Sequence, residues 1–89
     1  YDEEYLTLLD SLEGALPLSY ASNLSDEPLA RAVFQLSEGL IGEIIAIVSK
    51  AAAAAATSGA ERITKSGILK LRYIPLSERR RAAIHSQLL

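Results

Sequence analysis

The chain has no cysteine, methionine or tryptophan, and its single histidine is His85. Without cysteine, disulfides and thiolate metal sites are excluded, and one imidazole makes neither a histidine-rich metal cluster nor a Ser-His-Asp arrangement. Aromatic residues supply only 6% of the sequence while hydrophobic residues reach 49%, so leucine, isoleucine and alanine must carry the burial. That balance suits helix packed on helix and argues against a small β-sandwich, which draws on valine, threonine and aromatic side chains. A net charge of −2 gives no overall field favouring nucleic acid, although acidic residues gather early and basic ones late. The apolar run from Leu40 to Val48 is interrupted by Glu43 and followed by Ser49 and Lys50. It reads as too short and too broken to span a bilayer, and the first residues do not read as a signal peptide. The opening YDEEYL and the absence of methionine lead us to expect a piece of a longer protein. At 89 residues, one domain near the lower limit for a self-sufficient core is expected.

What is present is helical grammar. From Ser37 to Gly59 runs the longest apolar segment, with Ile41, Ile44, Ile45, Val48, Ala52 and Ala55 at helical spacing and an alanine run over residues 51–56. Periodicity predicts one buried face through those residues, alanine supplies helix propensity at little entropic cost, and Gly59 stands where a left-handed cap would end the helix. Bulky substitution at Ala52 or Ala55 is expected to cost about 1–3 kcal/mol by overpacking. Ahead of it, Tyr5, Leu8, Leu9, Leu12 and Leu16 predict a first helix over residues 2–16, with Asp2, Glu3 and Glu4 favourable at its N-terminus and Pro17 as its stop. Residues 18–24 read as a loop, with Leu18 and Tyr20 tucked under the core. A second helix opens at Ser25 or Asp26, tolerates Pro28 in its first turn, buries Leu29, Ala32, Val33 and Leu36, and leaves Arg31 and Gln35 to water. The short break over residues 37–39 forces a sharp angle, with Ser37 expected to cap the long helix.

After Gly59, Ile63 is a candidate anchor and Thr64 a candidate cap for a helix over residues 65–71 that buries Ile68 and Leu71. The alternation in ILKLRYI leaves an edge strand as the alternative. Pro75 breaks the chain, and Ser77 is expected to cap a last, weakly amphipathic helix containing Ala82, Ala83, Leu88 and Leu89. Tyr73 and Ile74 read as a hydrophobic latch holding this tail, or as half of a contact with another subunit. The expected fold is therefore all-α: a small orthogonal four-helix bundle over residues 1–72, followed by a basic C-terminal helical extension over residues 73–89.

Ser37-Glu38-Gly39, the alanine-rich helix after it, and Gly59-Ala60-Glu61-Arg62-Ile63-Thr64 opening the next helix together resemble the lid of an AAA+ ATPase. The phrases LSEGLIGEI, SGAERIT and RYIPLSERRRAAI, spanning much of residues 36–84, are similar to the C-terminal part of the TniB/TnsC-like transposition ATPases. The resemblance implies a regulatory lid that closes over nucleotide bound by a preceding α/β domain. ATP and Mg are then cofactors of the parent protein, and the expected location is the bacterial cytoplasm. The implied partners are that ATPase domain, further copies, a transposase and, through the parent protein, DNA; no membrane partner is implied. Ser37, Gly39 and Gly42 are the nucleotide-facing candidates. Where many such lids carry an arginine toward the γ-phosphate, this chain has Gly42, and Glu38 and Glu43 nearby would repel phosphate. The lid is therefore expected to sense nucleotide through backbone and packing contacts. The 89 residues hold no GxxxxGK[ST] loop, so this stretch does not hydrolyse ATP by itself.

Lys70, Arg72, Arg79, Arg80 and Arg81 form the basic concentration. It is a candidate contact for DNA phosphates or for an acidic partner, against the plain reading of a solvated helix. Glu43 reads as a solvated carboxylate, with a bridge to a neighbouring subunit as its alternative, and His85 as an exposed histidine. A free-standing helical interaction module, or the lid of a replication-initiator or secretion-type AAA+ protein, are the alternative functions.

Overall fold

The computed structural model describes residues 1–88, with side-chain surroundings as far as Ile84. His85 and the apolar Leu88–Leu89 end, both read from sequence above, lie outside that side-chain description. Among the described residues five helices follow one another: α1 Glu3–Ala15, α2 Glu27–Ser37, α3 Ile41–Ser58, α4 Lys65–Lys70 and α5 Leu76–Leu88. There is no strand among the described residues. The ILKLRYI alternation resolves as helix through Lys70, after which Arg72 takes a left-handed φ of 52° and breaks the repeat.

Local chemistry accounts for most boundaries. Asp2 caps α1 by accepting the Tyr5 N–H at 2.9 Å. Leu16, held extended before Pro17, ends it. Pro28 lies in the first turn of α2. Gly59 closes α3 at φ 80°, and Thr64 Oγ1 accepts the Gly67 N–H at 3.0 Å to open α4.

The core gathers between α2, α3 and α4, whose backbones approach most closely, while α1 adds Tyr5 and Leu9. Leu9, Leu24, Val33, Ile47, Val48 and Ile68 are completely or almost completely enclosed, each stabilising the fold by about 1.5–3 kcal/mol. The buried face of α3 consists of Ile44, Ile47, Val48, Ala51, Ala52 and Ala55. This corrects the face expected from periodicity: Ile41 and Ile45 are 63% and 44% exposed, and Ile47 and Ala51 take their place. Isoleucines surround the first turns of α3, so spacing alone does not orient the helix; α2 and α4 do. By length and composition α3 also passes for a membrane span, because the alanine run lengthens the apolar stretch beyond Val48. Its buried face is nonetheless in use as the core of this bundle.

Tyr1, Tyr5 and Phe34 pack edge to face or tilted, with ring centroids 5.2–5.7 Å apart, tying α1 to α2. The enclosed Tyr5 hydroxyl donates to the Ala30 carbonyl at 2.6 Å. Burial, and Tyr1 beside it, push its pKa far above the ordinary phenol range.

The α1–α2 loop is held by a carboxylate. Glu13 accepts the N–H groups of Ser22, Asn23 and Leu24 at 2.9, 3.0 and 2.7 Å. Desolvation opposes its charge, but these three donors outweigh it and lower the Glu13 pKa. Ser22 Oγ accepts the Ile63 N–H at 2.7 Å, and the Glu61 carbonyl accepts the Tyr20 N–H at 3.0 Å. The loop is therefore bound to the α3–α4 connection. Leu18 is half-buried as expected, whereas Tyr20 is 58% exposed, with the Arg62 guanidinium 5.3 Å from its ring centroid.

Two substitutions on α3 separate the observed face from the expected one. Ile47→Ala should destabilise the protein by about 2–5 kcal/mol through loss of buried methyl groups. Ile45→Asp should change stability by about 1 kcal/mol or less. Urea unfolding followed by circular dichroism reads both, and the opposite ranking would contradict the observed orientation of α3.

Candidate functional site

The α2–α3 corner is built from a strained backbone. Glu38 and Gly39 both lie in the left-handed region, at φ 55° and 73°. A Cβ on Gly39 would stand 3.2 Å from Phe34 Cζ, so both the dihedral angle and the ring beside it require glycine there. Ser37 is fully enclosed, with 0% exposure. Its Oγ donates to the Phe34 carbonyl at 3.1 Å and accepts the Gly39 N–H at 3.2 Å. Ser37 thus closes α2 instead of capping α3, which corrects the expected cap. The residue before α3 is Leu40, and no side chain caps that helix. Of the nucleotide-facing candidates, Ser37 offers no surface to a ligand, Gly39 lies exposed on the turn, and Gly42 lies exposed in the first turn of α3. A Cβ at Gly42 would meet nothing within 4 Å, so it serves no close helix packing.

The two carboxylates of this corner collect the C-terminal segment. Glu38 accepts both the Ser77 N–H at 2.9 Å and the Ser77 hydroxyl at 2.6 Å. Glu43 accepts the Tyr73 hydroxyl at 2.9 Å and pairs with the Arg79 guanidinium. The solvated Glu43 expected from sequence is therefore corrected: it is an anchor, and half-buried Tyr73 is its latch. Ile74 remains exposed. Ser77 lies within the first turn of α5, so its hydroxyl does not act as an N-cap within its own helix. Glu38, from the α2–α3 corner, takes its N–H instead, an acid at a helix N-terminus.

Cations surround the latch. Lys50 Nζ lies 5.3 Å and the Arg79 guanidinium 5.6 Å from the Tyr73 ring centroid, a geometry suited to cation–π attraction. Lys50 does not belong to the basic concentration of the sequence; its position on α3, far from the arginines in the chain, conceals it. The basic residues named there do not form one patch. Lys70 edges a groove of about 320 Å³ between α3 and α4, together with Arg62 and apolar Ala54, Ala55 and Ile63. Arg72 sits exposed at the left-handed exit of α4. Arg79 reaches the corner, and Arg80 and Arg81 are exposed on α5. No group of acidic or imidazole side chains suited to a metal occurs among the described residues.

The chain matches no known protein-family model, no curated protein and no solved structure.

The corner is sensitive to acid. Donation from the Ser77 hydroxyl, then from the Ser77 N–H, lowers the Glu38 pKa against a smaller desolvation effect, and Arg79 and Arg80 add to the lowering. A carboxyl lowered on folding contributes stability that is present above its unfolded pKa and lost as pH falls through its folded pKa. The Glu38–Ser77 contact should therefore persist at neutral pH and release only in acid below the range in which an ordinary glutamate takes up its proton. The amide proton shift of Ser77 followed by NMR checks this, and a shift indifferent to acid would contradict it.

Proposed function

We propose that this chain is the helical lid of an AAA+ ATPase of DNA transposition, similar to the TniB/TnsC-like proteins, acting in target selection and transposase regulation. In this reading the lid has no chemistry of its own. ATP, with Mg, is bound by a preceding α/β domain, and the α2–α3 corner faces its phosphates. The observation that carries the reading is the start of α3: a left-handed glycine turn leads into a long helix whose first turn has no side-chain cap. Its backbone N–H groups are suited to an anion, aided by the helix dipole.

Gly42 leaves that turn without a cation of its own, but Arg79 comes to it from α5 on Glu43. Repulsion by Glu38 and Glu43 is likewise reduced, because Ser77, Tyr73 and Arg79 hold both carboxylates. Arg79 is therefore the residue we place toward phosphate. Ser37 has the separate role of fixing the turn.

A second reading, a helical module that binds a protein partner, is favoured by one observation: Leu40, Ile41 and Ile45 leave an apolar stripe uncovered on α3. In a lid, that stripe would meet the ATPase domain or a neighbouring subunit.

The gene upstream of Tyr1 separates the two readings. The lid reading expects a GxxxxGK[ST] loop and an acidic strand within one α/β domain of about 200 residues ahead of Tyr1. An initiator methionine directly upstream, with no such loop, would overturn it and leave the interaction module.

A further inference from the structure

Charge is divided unevenly along the chain. Residues 1–30 hold seven acidic residues and no lysine or arginine, and α1 is accordingly an acidic helix. It leans on the bundle through Tyr5 and Leu9, but no helix backbone approaches it as closely as α2, α3 and α4 approach one another. A groove of about 580 Å³ is left between its first turns and the start of α3. Tyr5, Leu8, Phe34 and Ile44 supply its apolar floor, and Ile41 stands at its edge, 63% exposed. Leu40 precedes Ile41 and Ile45 lies one turn beyond it, both exposed as well. Folding does not account for so many large apolar side chains gathered at one place on the surface. The charged residues lining the same groove are Asp2, Glu4 and Glu38, and no lysine or arginine side chain lines it. Among the described residues none of these three carboxylates forms an ion pair.

We infer that the groove between α1 and α3 is the docking site for an amphipathic helix of a partner protein, whose apolar stripe is bordered by lysine or arginine. The inference rests on the interaction-module reading and names the chemistry of its partner. Tyr5 and Leu8 lie at i and i+3 on α1, and Ile41 and Ile44 at i and i+3 on α3, so each wall is one helix face. A third helix can lay its apolar stripe between two such walls. Charge then selects the occupant. Three carboxylates repel a phosphate backbone. A second copy docking through the same face would bring its own acidic α1 against this one, a costly juxtaposition of like charge. A basic border instead lays its alkyl stems along Ile41 and Leu8 and carries its cations out to the carboxylates. Glu38 keeps its charge for this purpose, because the Ser77 N–H and hydroxyl both donate to it.

The probe is a synthetic helical peptide with a leucine stripe bordered by lysines. Its controls carry serine in place of leucine, or glutamate in place of lysine, and binding to the intact chain is read by fluorescence anisotropy. The leucine–lysine peptide should bind tightest, and less tightly as salt rises. Ile41→Ser should weaken it at least about tenfold, the scale of losing one central anchor. Glu4→Lys should weaken it about two- to fivefold, as a rim charge does. Leu69→Ser removes an equally exposed leucine from a different groove, edged by Arg31 and Lys65, and should leave binding unchanged. All three positions are exposed, and an unchanged urea melt confirms that each variant is folded. Absence of binding, equal binding of the lysine and glutamate peptides, or indifference to Ile41→Ser would each overturn the docking site. Sedimentation without peptide should show a monomer; self-association abolished by Ile41→Ser would overturn it in favour of a second copy. An ATPase loop upstream of Tyr1 with peptide binding intact would overturn the module reading alone, whereas lost binding with no such loop would overturn the docking site alone.

Discussion

The reversal at Glu38 and Gly39 is the constraint on which the other features depend. Two successive left-handed residues turn the chain so that α3 packs against α2, and that packing creates the core between α2, α3 and α4. The turn is stable because its parts support one another. Ser37 satisfies backbone groups on both sides of it, Phe34 lies over the Gly39 position, and Tyr1 and Tyr5 pack against Phe34 in turn. A side chain at residue 39 would disturb both the dihedral angle and the aromatic cluster that attaches α1.

The same corner determines where the C-terminal segment goes. Glu38 at the turn and Glu43 in the first turn of α3 are placed side by side by the reversal, and each finds donors at least 30 residues away in Tyr73, Ser77 and Arg79. α5 has no apolar stripe that would bury it, so polar contacts at its first turn are its attachment. Such exposed contacts are individually weak. That explains how a helix with no buried residue from Leu76 to Ile84 is held at its first turn, and why that attachment depends on the charge of Glu38.

Much of this was legible in the sequence, because element boundaries follow local chemistry. Asp2, Pro17, Pro28, Gly59 and Thr64 act within a residue or two of where propensity and capping place them, and the all-helical class follows from composition and spacing. Orientation was less legible. Isoleucine at positions 41, 44, 45 and 47 makes more than one face of α3 apolar, and only packing against α2 and α4 selects Ile47 over Ile45. Contacts distant in sequence were not legible at all. Glu13 gathering three loop amides, Glu43 holding Tyr73 and Arg79, and Lys50 beside Tyr73 are single polar residues, and no periodicity marks their partners. Sequence pattern puts Ser37 at the correct corner but on the wrong helix, since the left-handed pair separates it from the start of α3.

The most direct test of the corner compares alanine at its two glycines by urea unfolding. Gly39→Ala should destabilise the protein by about 1–2 kcal/mol, from the left-handed conformation alone, with the Phe34 ring adding to the loss. Gly42→Ala, in open space within a helix, should stabilise it by up to about 1 kcal/mol. Opposite signs at positions three residues apart would establish that the Glu38–Gly39 reversal holds the fold together. Equal effects, or a stable Gly39→Ala protein, would contradict the account.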